Sequence, residues 1–231
     1  MSVRLVIFMK TPHPGEVKTR LIPLLGVEGA ARVQRALAWR TLAAAADAGL
    51  GAPELWVTPD FHHDFFATCI ERFGVRLHRQ CDGDLGARLH HALSHVPGQA
   101  ALVLGTDCPG LDGARLAAAA AALDAGHDAV FHPVEDGGYA LVGVRASDPR
   151  LFAGVEWSSA QVMAQTRARV AALGWRAVEG DTLWDVDRPA DFLRLVREEG
   201  FPPLHLDPPY LDPSHLDPSL HDPHAHHGAA A

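Results

Sequence analysis

The sequence predicts a single α/β domain, a mostly parallel sheet with helices on both faces. Three observations carry that prediction. Short runs rich in Val, Leu and Ile alternate with longer helical patterns. The first of them, RLVIFM at 4–9, is a continuous apolar run after Arg4, of the kind expected for a strand covered on both sides. The length of 231 residues, with 48% hydrophobic and 21% charged, suits one well-filled core.

The elements follow in order. After the first strand, a helix is expected from about Val27 to Ala48, with Val33, Leu37, Ala44 and Ala48 on one side and Gly49 as its stop. ELWVTP (54–59) reads as a second strand and 61–72 as a helix. VRLHRQ (75–80) is a third strand, before a helix from about Asp84 to His95. ALVLG (101–105) is a fourth, and Asp112 caps a helix that buries Leu116, Ala119, Ala120 and Leu123. DAVFHP (128–133) and YALVGV (139–144) are separated only by a Gly-rich turn, which breaks the alternation and predicts an antiparallel insertion. Ser158 and Gln161 have capping-box spacing ahead of a helix through Leu173. WRAV (175–178) is a last strand, and Pro189 opens a closing helix to Glu199.

The domain is therefore expected to span 1–200. From 201 to 231 Asp-Pro recurs every five residues among six histidines, the composition of a disordered, low-complexity tail that could at most bind a divalent metal loosely. No apolar run approaches the roughly 20 residues of a membrane span, and the N-terminal run lacks a cleavage site, so no membrane partner is expected. Three cysteines without CxxC spacing point to a reducing, cytoplasmic address. A formal net charge of −8 argues against a nucleic-acid partner. The oligomeric state leaves no signature.

Charge placement is more telling. The chain has only two lysines, Lys10 and Lys18, and both fall in KTPHPGEVKTRL (10–21), just after the first strand. In an open parallel sheet, ligands bind beyond the carboxyl ends of strands. There this loop offers two ammonium groups, the Arg20 guanidinium, the Thr19 hydroxyl, Pro12 in its first turn and Gly15 for close backbone approach. These are the parts of a diphosphate cradle. The spacing is not a P-loop, and the chain has no GxGxxG.

A second feature is LVLGTDCPGL (102–111), where Asp107 stands at the end of an apolar strand. One carboxylate there suits Mg²⁺ or Mn²⁺, which keep most of their waters and share substrate phosphates. A partner carboxylate is expected in DVDRPAD (185–191), at Asp185 or Asp187. Gly83, Asp84 and Gly86 with Arg88 would bring backbone N–H groups at a helix start to a nucleotide, although a plain N-cap explains Asp84 equally well. Asp136 is the nearest candidate general base. Gly137 and Gly138 would let the chain pass close to a sugar or acceptor, with Tyr139 as a stacking face, although a hairpin turn accounts for them too. Trp157 could shape an acceptor pocket, or simply anchor the core. His91 and His95, at i, i+4 without HExxH, are expected to be solvated, and Cys108 to be a buried thiol.

With the loop, TDCP, DGGY and DVDRPAD in this order, the chain from about Arg4 to Glu199 resembles the bacterial arsenosugar-biosynthesis-type glycosyltransferases. These belong to the GT-A nucleotide-diphospho-sugar transferase superfamily. The resemblance implies a Rossmann-like GT-A domain with a nucleotide over the first loop, Lys18 and Arg20 stabilising the departing diphosphate, a divalent ion at Asp107, and Asp187 as the second metal carboxylate. It also implies glycosyl transfer from a nucleotide-sugar to a small-molecule acceptor. Arg188, where a Thr is expected before Pro189, weakens the helix cap, and the Asp-Pro tail has no counterpart. The loop also looks like that of the 2-phospholactate/phosphoenolpyruvate guanylyltransferases, which implies nucleotidyl transfer with release of pyrophosphate. A non-catalytic nucleotide-binding protein is the third reading.

Overall fold

A computed structural model of the chain describes residues 2–199; the Asp-Pro tail at 201–231 lies outside the described residues. Seven strands form one sheet in the order β3-β2-β1-β4-β6-β5-β7. They are β1 (Arg4–Lys10), β2 (Glu54–Thr58), β3 (Arg76–Arg79), β4 (Ala101–Leu104), β5 (Ala129–Pro133), β6 (Tyr139–Val144) and β7 (Ala177–Glu179). β1 pairs in parallel with both β2 and β4, β2 with β3, and β5 with β7. Only β6 runs against its neighbours β4 and β5, because the short 134–138 turn cannot carry the crossover that a parallel connection needs.

Period-two alternation fills both faces. Leu5, Ile7 and Met9 point with Leu55, Val57, Leu102 and Leu104 into one core, under Trp39 and Leu42, Phe66 and Leu116. Val6, Trp56, Val103, Phe131 and Val142 point into the other, under Leu89, Leu93 and Met163. Each large side chain fully buried here contributes about 1.5–3 kcal/mol. The covering helices are α1 (Ile22–Asp47), α2 (Asp64–Phe73), α3 (Leu85–Ser94), α4 (Gly113–Asp124), α5 (Val162–Leu173) and α6 (Pro189–Glu199). A third cluster, with Leu21, Val33, Leu37, Val186, Phe192 and Leu195, ties α6 to the start of α1.

Local signals set most of these boundaries. α1 is interrupted at Gly26 (φ 69°, ψ 172°), so its continuous part begins at 27. Asp84 and Asp112 cap α3 and α4 by accepting from Ala87 N–H and Arg115 N–H, each at 2.8 Å. The capping box expected at Ser158 and Gln161 does not form. Ser158 has φ 64°, and Gln161 stands at the N-cap without a side-chain bond. Met163 N–H instead donates to the Gly137 carbonyl at 2.8 Å, so a tertiary contact replaces the local cap. Arg188 does not leave α6 uncapped either: Asp191 accepts from the backbone N–H groups of Asp187 and Arg188 at 3.1 and 2.7 Å.

His91 and His95 are exposed, as expected, and they also set ring edges against Trp56 at centroid distances of 5.4 and 5.2 Å, while His78 stacks on the same indole at 4.9 Å. Among the described residues, no helix is long and apolar enough to cross a membrane.

Candidate active site

The carboxyl ends of β1, β4 and β5 share one edge of the sheet, and the segment after β7 is laid across it. Glu135 N–H donates to the Leu183 carbonyl, Leu183 N–H to the Pro133 carbonyl, and Val186 N–H to the Asp107 carbonyl at 2.8 Å. These bonds carry Asp185 and Asp187 to the end of β4. Val186 is fully buried between them; the Asp187 side chain is 46% exposed, while Asp185 is largely buried beside Cys108.

Lys18 is the junction. Its side chain is only 3% exposed, and its Nζ donates to Asp107 Oδ1 and to the Val186 carbonyl, both at 2.7 Å. The residue adopts φ 47°, ψ 40°, a left-handed conformation that costs a non-glycine about 1–2 kcal/mol. Two charge-assisted bonds offset that cost. Behind Asp107, buried Gln34 of α1 donates from Nε2 to Thr106 Oγ1 at 2.9 Å. The Thr106 hydroxyl in turn donates to Asp107 Oδ1 at 3.4 Å. Two residues further along the loop, exposed Arg20 pairs with Asp187.

Negative charge exceeds positive here. Burial pushes the Asp185 carboxyl up to about 7, and the neighbouring Asp107, Asp136 and Asp187 add to the shift while Lys18 opposes it. Burial, with Asp185 beside it, pushes the Cys108 thiol up to about 12, so Cys108 is an inert core residue. The donor set fits Mg²⁺ or Mn²⁺: oxygen ligands only, in excess of the local cations. Among the described residues no three His, Cys, Asp or Glu side chains converge as a complete cage. The fit is therefore to an ion that takes one or two protein carboxylates and fills its remaining positions with water and phosphate.

The other candidates fall into two groups. Lys10, at the last position of β1, is exposed, as are Gly15 (φ 86°) and Thr19, so this side of the loop is open to a ligand. Pro12 is buried. Arg88 is held over the 80–84 turn, donating from Nε to the Gly83 carbonyl at 3.1 Å and from its Nη1 to Gln80 Oε1 at 3.4 Å. The second group is accounted for by packing. A Cβ on Gly86 would come within 2.9 Å of the Trp157 ring, so Gly86 makes room for Trp157. Gly137 has φ 91°, and a Cβ there would lie 2.2 Å from the Ala160 carbonyl oxygen, so this glycine lets the entry to α5 close over the turn. Tyr139 packs on Phe131 at 5.7 Å and Trp157 at 6.5 Å, with burial pushing its phenol upward. It is a wall of the core, not an open stacking face. Asp136 remains exposed, with Oδ1 accepting from Gly138 N–H at 2.9 Å.

The sequence left Asp185 and Asp187 as alternatives for the second carboxylate, and the structure brings both to the end of β4, with Asp185 the more buried of the two. Gln34 could not be found, since a polar residue on a helix reads as solvated until the fold closes over it.

Solved structures share this fold. A protein from Desulfovibrio desulfuricans G20, provisionally described as a nucleotide-diphospho-sugar transferase, matches with a TM-score of 0.77 at 26% identity, over 85% of this chain and 87% of that one. A nucleotidyl transferase from Methanothermobacter thermautotrophicus matches at 0.57 and 15% identity, over 85% and 97%. A cytidylyltransferase from Leptospira borgpetersenii matches at 0.56 and 12% identity, over 90% of each chain. The last two share the fold. No curated protein matches. The likeness is thus to the GT-A-like nucleotide-diphospho-sugar transferase superfamily, and the arsenosugar-specific resemblance is carried by the sequence motifs alone. A family model described as "Uncharacterized protein conserved in bacteria (DUF2064)" matches residues 41–159, which include Asp107, Asp136 and Trp157, and the chain belongs to that family.

Proposed function

We propose that the protein is a transferase acting on a nucleotide-activated donor, and specifically that it moves a glycosyl group from a nucleoside-diphosphate sugar to a small acceptor. One observation carries the reading: the first loop, the end of β4 and the 185–187 segment meet through Lys18, with Arg20 and Asp187 paired beside it. Supporting it is the superfamily likeness, in particular to the protein described as a nucleotide-diphospho-sugar transferase.

Each residue then has a task. Lys18, with its ammonium already committed to Asp107 and Val186, positions Asp107 and does not itself grip phosphate. Contact with the diphosphate falls to the exposed Arg20 fork, to Lys10 and to the backbone N–H groups around Gly15 and Thr19. Asp107 and Asp187, with Asp185 behind them, are the residues that would hold Mg²⁺ or Mn²⁺, whose contribution when bound is Lewis-acid stabilisation of the departing diphosphate. Arg20 adds positive charge where negative charge accumulates as the C1–O bond breaks. Asp136, exposed at the turn before β6, is the proposed general base for the acceptor hydroxyl.

The test is a product assay with Mn²⁺, run with nucleotide-sugars and, separately, with nucleoside triphosphates plus phosphorylated acids. Free nucleoside diphosphate in the first reaction, lost in Asp107→Asn, is the expected result. Pyrophosphate in the second would assign nucleotidyl transfer instead, and binding without turnover in either would leave a nucleotide-binding protein.

A further inference from the structure

We propose that Arg20 and a divalent cation compete for Asp187, so that the ion is taken up efficiently only together with a diphosphate that draws Arg20 away. The inference rests on the proposed function and adds a rule of binding order to it.

The residues in the site set up the competition. Lys18 and Arg20 leave the same turn and reach carboxylates on two different segments, Asp107 at the end of β4 and Asp187 before α6. The two pairs differ in exposure. The Lys18 side chain is 3% exposed, fixed by a second bond to the Val186 carbonyl, and cannot leave without opening the core. Arg20 is 62% exposed and Asp187 46%, and Asp187 is the only hydrogen-bond or ion-pair partner of the Arg20 guanidinium among the described residues. A pair so exposed is weak, since solvent screens it, and its cation is free to swing. Asp187 itself stays put, because its backbone N–H is held by Asp191. The movable partner is therefore the arginine. A bare divalent cation arriving at Asp187 meets a guanidinium already there. A diphosphate offers that guanidinium a better bidentate partner, and with its departure the carboxylate becomes available. Ion and diphosphate thus raise each other's affinity, as linkage requires.

The consequence is a pair of effects of opposite sign from one substitution. Arg20→Gln should bind Mn²⁺ alone more tightly than the wild type, by about three- to tenfold, the scale of removing one exposed unit charge beside the ion. The same variant should bind the preformed Mn²⁺–pyrophosphate complex at least about fivefold more weakly, having lost a charge-assisted fork. Free-ion electron paramagnetic resonance reads the first affinity and calorimetry the second. Arg20→Lys, which keeps the charge, should stay close to the wild type for Mn²⁺ alone. In the Asp187→Asn background, Arg20→Gln should give no gain, which separates competition for this carboxylate from a general change in surface charge. If Arg20→Gln binds Mn²⁺ no more tightly than the wild type while Mn²⁺–pyrophosphate still binds, the competition is wrong and the proposed function stands. If the gain in Mn²⁺ affinity appears but neither protein binds Mn²⁺–pyrophosphate, the proposed function fails, and the diphosphate half of this proposal with it.

Discussion

The two ends of the sheet solve the same electrostatic problem in opposite ways. At the amino end, Arg4 of β1 meets Glu54 of β2 in a bidentate pair at 2.9 and 2.6 Å, with side chains 3% and 4% exposed. Two further bonds support the pair: the Arg4 Nη1 donates to the Ala92 carbonyl, and Trp56 Nε1 donates to Glu54 Oε2. Burial opposes the Glu54 charge, yet these hydrogen bonds outweigh it and hold its carboxyl below the ordinary value. At the carboxyl end, burial of Asp185 goes uncompensated, its nearest charges are mostly like its own, and its carboxyl is raised. One carboxylate is completed by the fold and the other is not. A charge that folding leaves unbalanced is one that a ligand can balance, and this contrast supports the proposed reading of the carboxyl edge as the site.

Breaking the completed pair should be the larger effect. Arg4→Leu removes the bidentate partner and leaves buried Glu54 the exposed Arg76 guanidinium at 3.4 Å and the Trp56 N–H as hydrogen-bond partners, so unfolding in denaturant should show a loss of about 3 kcal/mol, the low end for breaking a buried pair. The equivalent change at the other end should reverse sign. Asp185→Asn keeps the shape and removes a crowded charge, so without added divalent ion at pH 8 it should stabilise the protein by about 1–2 kcal/mol, allowing for partial exposure. Destabilisation by Asp185→Asn would mean that its charge is already balanced, and the contrast between the two ends would be lost.

How much of this was legible in the sequence follows from the range of the interactions involved. The strands, the order of elements and the antiparallel pair around 134–138 are set by local periodicity and turn residues, and all could be read directly. So could the Asp84 and Asp112 caps, which act within three residues. The box at Ser158 and Gln161 failed because α5 takes its cap from Gly137, distant in sequence. Gly86, Gly137 and Tyr139 looked like ligand contacts because a glycine that admits a ligand and one that admits Trp157 or Ala160 have the same letter. Lys18 was read as a phosphate ligand for a similar reason: nothing in KTPHPGEVKTRL reveals that its ammonium is folded inward onto Asp107 while Arg20 stays outside.

The smallest expected effect tests the completed end by acid. A carboxyl lowered by folding stabilises the native state fully above its unfolded value, 4.5 for Glu54, and that stabilisation is lost as pH falls through the lower, folded value. Glu54→Gln cannot titrate. Its baseline stability is lower, because Arg4 loses its counter-charge, but its free energy of unfolding should fall less steeply than the wild type's below pH 4.5. His78, whose Nε2 lies 3.9 Å from Glu54 Oε2, has its imidazole pushed down from 6.5, chiefly by burial. Its protonation costs both proteins stability from about pH 6.5 downward, so the comparison belongs to the acid limb alone. Parallel curves there would show that the hydrogen bonds from Arg4 and Trp56 do no more than cancel the burial of Glu54. The two ends of the sheet would then differ in degree and not in kind.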